Sequence, residues 1–475
     1  MIGIGGSGMC PLAEILHSRG VALTGSDNNE SDTLNRIRAL GIPVTVGHFE
    51  DTVQTADAVV YSAAISGDNP ELAGAKKRGI PCFERSLLLG ALTRLFERCV
   101  GVAGTHGKTT VTSMLTQILL TGGLDPSAVI GGKLPLINAN GRAGQSGLLV
   151  CEACEYHNTF LEMSPTLAVL LNIDNDHLEF FGAMENLEAA FTEFCAKAAV
   201  ILVNGNDLPA LKAAKIETAG RTHSFVSNAN NKEEHSQLRF AKRVYTYGEG
   251  EGFDFAFSNI QKRKTGHLFD FSAQGDRPFE IEIKVPGRHN VQNAAAAAAA
   301  ALLLGADAQA IQKGLREFGG AGRRFEILGE FTPGQNIGAT VPETGSKASV
   351  TVADDYAHHP TELRVTLETA KSMDFKTVWA VFQPFTFSRT AMLLDEFAQA
   401  LQIADKVILA EIMGSREVNT YNIYSSDLAA KIPGSVCLPD FRSIADHVTA
   451  NAQPGDLVLT LGCGDIYKAA KLMLD

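Results

Sequence analysis

The densest chemistry in this chain of 475 residues lies in Gly101-Val-Ala-Gly-Thr-His-Gly-Lys-Thr-Thr110, a glycine-rich turn that ends in Gly-Lys-Thr. Apolar Cys99-Val100 precedes it and the periodic stretch Val111 to Leu120 follows, so the spacing predicts strand, turn and helix in that order. In such a setting the amides of Gly104, Thr105, His106 and Gly107 surround phosphates at a helix N-terminus. Lys108 reaches the terminal phosphates, and Thr109, with Thr110 behind it, offers a hydroxyl to Mg²⁺. The general spacing asks for glycine at position 102, where this chain has Val102. The expected ligand is a nucleoside triphosphate with Mg²⁺.

Other segments could act beside it. Cys151-Glu-Ala-Cys-Glu-Tyr156 puts Glu155 just past the strand-like run Gly147 to Val150, and Asn172-Ile-Asp-Asn-Asp-His177 ends the next strand with His177. Ligands of open α/β sheets bind at the carboxyl ends of strands, so Thr109, Glu155 and His177 are expected to meet around Mg²⁺. Histidine is an unusual Mg²⁺ ligand, and a solvated strand-end role for Glu155 and His177 stays open. In Pro286-Gly-Arg-His-Asn-Val-Gln-Asn293, Asn290 and Asn293 share one helix face and could read a base edge, with helix capping by Asn290 as the competing role. Ala353-Asp-Asp-Tyr-Ala-His-His-Pro360 sets Asp354 and His358 in a loop too dense in charge for an ordinary turn. At the start of the chain, Gly3-x-Gly5-x-x-Gly8, with Gly6 and Ser7 between and Asp27 ending a second apolar run, forms a diphosphate-binding βαβ signature. Its first strand keeps just Met1 to Ile4, which suggests a start site placed a few codons late.

Positioning these segments takes several domains, since a chain this long is expected to form roughly two to four. Hydrophobic residues make up 45% and charged residues 20%, with 45 glycines against 17 prolines, a balance that suits turn-rich α/β structure rather than disorder. The net charge of −12 without a lysine/arginine run argues against nucleic-acid binding. Eight scattered cysteines are too sparse for a disulfide framework, and Cys151-x-x-Cys154 has no second pair to complete a zinc site. No signal peptide and no membrane-length apolar run is present, so a cytoplasmic protein away from the membrane is expected.

Strand-like runs at Ala56 to Tyr61 and Ile80 to Phe83 predict a small α/β domain over residues 1–97. Leu167 to Leu171 and Ala199 to Val203 predict a second, parallel sheet within 98–321, packed under the alanine-rich helix Ala294 to Leu304 and interrupted by the polar loop Asn228 to His235. Val378 to Phe382, Lys406 to Ala410 and Leu457 to Thr460 belong to a third unit, 322–475, with an inserted loop from Thr332 to Ser349.

Taken in order, the Gly104 loop, Glu-Ala-Cys-Glu-Tyr, Asn-Ile-Asp-Asn-Asp-His, Pro-Gly-Arg-His-Asn and Asp-Asp-Tyr-Ala-His-His-Pro resemble the Mur ligase family over the whole chain, including its variant loop with valine at position 102. The resemblance implies a Rossmann-like domain for the UDP substrate, a central P-loop ATPase-type domain and a Rossmann-like C-terminal domain. It further implies an ATP-dependent amide ligase, a monomer or homodimer, that joins L-alanine to the lactyl carboxylate of UDP-N-acetylmuramate through an acyl phosphate. This branch is marked by Thr105-His106, by Phe382-Gln-Pro-Phe-Thr-Phe-Ser-Arg-Thr390 and by Gly462-Cys-Gly-Asp-Ile466, although Phe385 and Phe387 stand where histidine and tyrosine are usual. By carry-over, Lys108 and Thr109 serve phosphates and metal, and Glu155 and His177 hold Mg²⁺. His289, Asn290 and Asn293 serve adenine, Asp354 and His358 lie by ribose and substrate, and Arg389 contacts phosphate. Gly3, Gly5, Gly6, Ser7, Gly8 and Asp27 then hold UDP, and no carbamylated lysine is implied. The rival readings are a murein tripeptide recycling ligase of the same family, an NAD-dependent oxidoreductase using the first glycine loop, and a non-catalytic nucleotide switch.

Overall fold

The computed structural model describes residues 1–215, 243–333, 349–415 and 417–475; the polar loop 228–235 and most of the 332–349 insertion lie outside these residues. The chain divides into two compact units, Met1–Val285 with Asn290–Gly319, and Pro286–His289 with Gly320–Asp475.

The first unit opens with two parallel strand pairs, β1 (Gly25–Asp27) on β2 (Val44–Val46) and β3 (Val59–Tyr61) on β4 (Cys82–Glu84). Ile2 bridges them, pairing with Ser26 on one side and Tyr61 on the other. The strand expected at Met1 to Ile4 therefore shrinks to a bridge, because Gly3 at φ +76 leaves the extended region one residue later. Likewise the run from Val21 becomes strand at Gly25, since the Val21 amide is taken by Leu16 O as the chain leaves helix α1 (Cys10–Ser18). Helices α2 (Asp32–Ala39) and α3 (Pro70–Lys77) start at side-chain caps, Ser31 and Asn69, and α4 (Arg85–Thr93) follows β4 directly.

The larger sheet of this unit contains β5 (Arg98–Ala103), β6 (Ser127–Leu134), β7 (Ala139–Arg142), β8 (Leu148–Glu152), β9 (Leu167–Leu170), β10 (Val200–Asn204), β11 (Arg243–Glu249), β12 (Phe255–Arg263), β13 (Gly266–Ala273) and β14 (Phe279–Ile283). Among the described residues its order is β14-β13-β12-β11-β10-β9-β5-β8-β6-β7. The centre is parallel, as the continuous apolar runs predict, and these strands are buried on both faces. Both edges are antiparallel, which the apolar runs do not reveal; β12 turns into β13 across two residues, a connection open to antiparallel neighbours alone. Helix α5 (Lys108–Thr121) packs on this sheet, and the helix His289–Leu303 buries all of Ala294 through Ala301.

The second unit is one sheet of β15 (Glu326–Phe331), β16 (Val350–Asp355), β17 (Val378–Phe382), β18 (Lys406–Leu409), β19 (Val436–Cys437) and β20 (Leu457–Leu461), ordered β15-β16-β20-β17-β18-β19. β15 runs antiparallel to β16 and the other pairings are parallel. Apolar clusters cover each face, one holding Phe382 and Phe397, the other Trp379 and Ile444. No described helix is long and apolar enough to cross a membrane.

Candidate active site

The glycine-rich loop that ends in Gly-Lys-Thr hangs between β5 and α5 and is fastened to the end of β9. Thr105 N donates to Asn172 O (3.0 Å), His106 N to Asn172 Oδ1 (2.8 Å), and Asn172 Nδ2 back to His106 O (3.0 Å). Asp174 completes the attachment, its amide donating to Thr105 Oγ1 (2.9 Å) and its carboxylate lying 3.0 Å from His106 Nε2. Two glycines make the shape possible. A Cβ on Gly104 (φ +139) would sit 3.0 Å from Asn172 backbone, and one on Gly107 (φ +86) would sit 2.6 Å from Asn293 Oδ1. Asn293 thus packs on the loop, and its Nδ2 donates to Asn290 Oδ1 (3.0 Å). The helix begins at His289, so Asn290 lies inside its first turn and is not the cap; the His289 ring lies against Gly287.

Lys108 opens α5 with its ammonium donating to Gly104 O (2.6 Å) and Thr105 O (3.0 Å) and lying 3.0 and 2.9 Å from the two oxygens of Glu155. Burial would lower its pKa, but the Glu155 charge, aided by Cys154 and Glu152, raises it above the usual lysine value, so Lys108 is cationic. Thr109 follows Lys108 in the first turn of α5. Its hydroxyl donates to Glu152 (2.9 Å to Oε2), which also accepts the Gly131 amide (2.8 Å). Thr110 is buried in the next position of α5. Glu155 itself is 1% exposed, its Oε2 paired with the Lys108 ammonium.

His177 follows β9, and its ring centroid lies 4.7 Å from that of Tyr156, the neighbour of Glu155. His157, Asn158 and His177 all adopt left-handed backbone, at φ +53, +57 and +58. Such conformations in non-glycine residues concentrate at functional sites.

The amino-terminal glycine loop is held by Asp27, whose carboxylate accepts Gly5 N (3.0 Å) and Asn29 N (3.3 Å). Gly6 N donates to Gly3 O (3.1 Å), and Asn140 of β7 donates to Ser7 O.

In the second unit Asp354 is the penultimate residue of β16 and nearly inaccessible to solvent. It accepts from Thr460 Oγ1 (2.6 Å) and Arg323 Nε (2.8 Å), and Arg323 Nη2 donates to Gly462 O (2.7 Å). The Arg323 guanidinium stands 5.0 and 4.9 Å from the ring centroids of Tyr356 and Tyr467. His358 Nδ1 lies 3.0 Å from Tyr356 O and 3.2 Å from Glu362. Burial raises the neighbouring Asp355 to about 6 against the pull of Arg324, while Phe325 N and Ala357 N donate to its two oxygens. Arg389 is buried in a short helix, Phe387–Met392; its charge acts on Cys463, whose thiol burial nevertheless raises to about 12. Phe385 bridges to Met413, and the Phe387 ring fills the space a side chain at Gly414 would need.

Comparison with known proteins decides the family. The Mur ligase family catalytic domain matches residues 1–97, the Mur ligase middle domain 102–301, and the Mur ligase glutamate ligase domain 342–464. The UDP-N-acetylmuramate–L-alanine ligase of Acetivibrio thermocellus is 39% identical over 480 residues, covering 100% of this chain and 94% of the relative. The chain belongs to the Mur ligase family. The crystal structure of the UDP-N-acetylmuramate–alanine ligase of Thermotoga maritima matches with TM-score 0.77 at 26% identity, covering 100% of this chain and 97% of that one. A murein peptide ligase of Psychrobacter arcticus shares the fold, with TM-score 0.71 at 22% identity over 100% and 97% of the two chains.

Within this Mur ligase, the segments 101–110, 151–156 and 172–177 lie together, with partners that their spacing does not indicate. Glu152, the actual partner of Thr109, lies in the same Glu-Ala-Cys-Glu segment as Glu155. Asn172 and Asp174, which fasten the loop, lie in the segment singled out for His177. Arg323 carried no spacing signal and emerges as the partner of Asp354 through the pairing of β15 with β16, Glu326 opposite Asp354.

Proposed function

We propose that this Mur ligase joins L-alanine to the lactyl carboxylate of UDP-N-acetylmuramate at the expense of ATP, a step of peptidoglycan precursor synthesis. The observation that carries the reading is full-length similarity at 39% identity to a ligase of that name, with a Lys108–Glu155 and Thr109–Glu152 phosphate loop in place to serve it. A carboxylate is a poor electrophile at neutral pH. Its oxygen attacks the γ-phosphorus and ADP departs; the alanine amine then attacks the acyl carbon, phosphate departs with the C–O bond, and the amine loses its proton. Lys108 is assigned to the transferring phosphoryl, and Arg389 to phosphate contact.

Mg²⁺ fits the donors present. Thr109 Oγ1, Glu152 and Glu155 supply hard oxygen ligands. When bound, the ion would neutralise phosphate charge; Thr109, Glu155 and His177 are assigned to it, with Glu152 added by the geometry. His106, Asn290 and Asn293 would shape the nucleotide site, with His289 beside it. Asp354 would act through Arg323, and His358 would lie by the substrate. The glycine loop from Gly3 to Gly8 and Asp27 would hold UDP. These roles divide over functional domains at 1–97, 98–321 and 322–475, in a cytoplasmic monomer or homodimer.

Phosphate release from ATP, measured with UDP-N-acetylmuramate and each of L-alanine, glycine, L-serine and the murein tripeptide in turn, tests the reading. L-alanine is expected to support turnover. Turnover with the tripeptide alone would make the chain a recycling ligase instead.

A further inference from the structure

Arg85 opens α4 directly after β4, and its side chain reaches the glycine loop. A Cβ built on Gly8 would lie 3.1 Å from Arg85 Cδ and 3.2 Å from its Nε and Nη1. A side chain at Gly8 would press on this guanidinium arm. Elsewhere in residues 1–97, Arg36 pairs with Glu14, Arg38 with Glu30 and Arg78 with Glu50. Arg85 is half-buried, yet among the described residues its guanidinium makes no hydrogen bond or ion pair. It also sits in the first turn of a nine-residue helix, where the macrodipole disfavours a cation. Next to it, the amides of Ser7 and Gly8 donate to no group among the described residues, whereas Gly5 N and Gly6 N are taken by Asp27 and Gly3 O. An unpaired guanidinium against two unpaired amides, at the carboxyl end of parallel strands, is the donor set a diphosphate requires.

We propose that Arg85 is the residue that binds the diphosphate of the UDP-sugar, closing over the Ser7–Gly8 amides. The assignment rests on the reading of the glycine loop as the UDP site. Calorimetric titration of the full chain with UDP and with uridine separates the two. In wild type UDP binds more tightly than uridine. Arg85→Gln is expected to weaken UDP about 10- to 100-fold, to leave uridine unchanged, and to raise KM for UDP-N-acetylmuramate while KM for ATP holds. Arg85→Lys should fall between, because an ammonium replaces the charge without the bidentate fork. Gly8→Ala, which crowds the arm without altering charge, should also weaken UDP more than uridine. Equal effects of Arg85→Gln on UDP and uridine, or none on either, overturn the role of Arg85. A wild-type chain that binds no UDP overturns the reading of the loop and the role of Arg85 together.

Discussion

Lys108 is held by two carbonyl oxygens and the Glu155 carboxylate, and this fixes what its removal does. Lys108→Ala should lower phosphate release by at least about 100-fold, the scale of losing one preorganised charge at a transferring group. It also strands a buried carboxylate, so thermal unfolding should report a loss of about 3–5 kcal/mol. The double variant with Glu155→Gln should regain most of that stability while remaining inactive; full activity in Lys108→Ala would remove the loop from the reaction. Asp355 offers a test by pH. Burial raises its pKa from 3.8 to about 6, so the folded state holds this proton more tightly than the unfolded chain does. Its effect on stability is therefore nil below about pH 4 and increasingly unfavourable as pH rises to 6, reaching about 3 kcal/mol. In urea unfolding, wild type should lose that much relative to Asp355→Asn between pH 4 and 7, and parallel pH curves would contradict the buried, proton-holding environment.

The strands and helices show how sequence legibility divides. Continuous apolar runs located β5, β9, β10, β17 and β20, a period of 3.6 located α5, and glycine spacing located both loops, because these features depend on local sterics and burial. Which carboxylate faces which hydroxyl was not legible. Glu152 and Glu155 are three residues apart at one strand end, and their division between Thr109 and Lys108 depends on β6 supplying the Gly131 amide from another part of the chain. The antiparallel edges escaped for the same reason, being set by neighbours and not by local pattern. Gly131 makes the dependence testable: a Cβ there would lie 2.4 Å from Glu152 Oε2 and 2.8 Å from Thr109 Oγ1. Gly131→Ala should push Glu152 off Thr109 and raise KM for ATP about tenfold or more, with about 1–3 kcal/mol of lost stability; an unchanged KM would detach Glu152 from the nucleotide site. Ala298→Leu, in the fully buried alanine helix, should lose a similar amount of stability with no change in KM for ATP.

For the molecule as a whole, both glycine loops fall in the unit built from Met1–Val285 and Asn290–Gly319, while Asp354, His358 and Arg389 fall in the other. Calorimetry should accordingly resolve two unfolding transitions, with UDP and a non-hydrolysable ATP analogue each raising the same one, by about 2.7 kcal/mol of stability at a hundredfold excess over Kd. Nucleotides that raised different transitions would contradict this division. The lysine–carboxylate contact in the phosphate loop has a further consequence for a protein of net charge −12. Lys108 cannot turn towards a phosphate without leaving Glu155 as a bare anion in a dry place, next to Glu152. On the proposed reading the loop would act as an ion exchanger, releasing its lysine when another cation takes over the carboxylates, so that a bare polyanion would be refused and one arriving with its own counter-ion admitted.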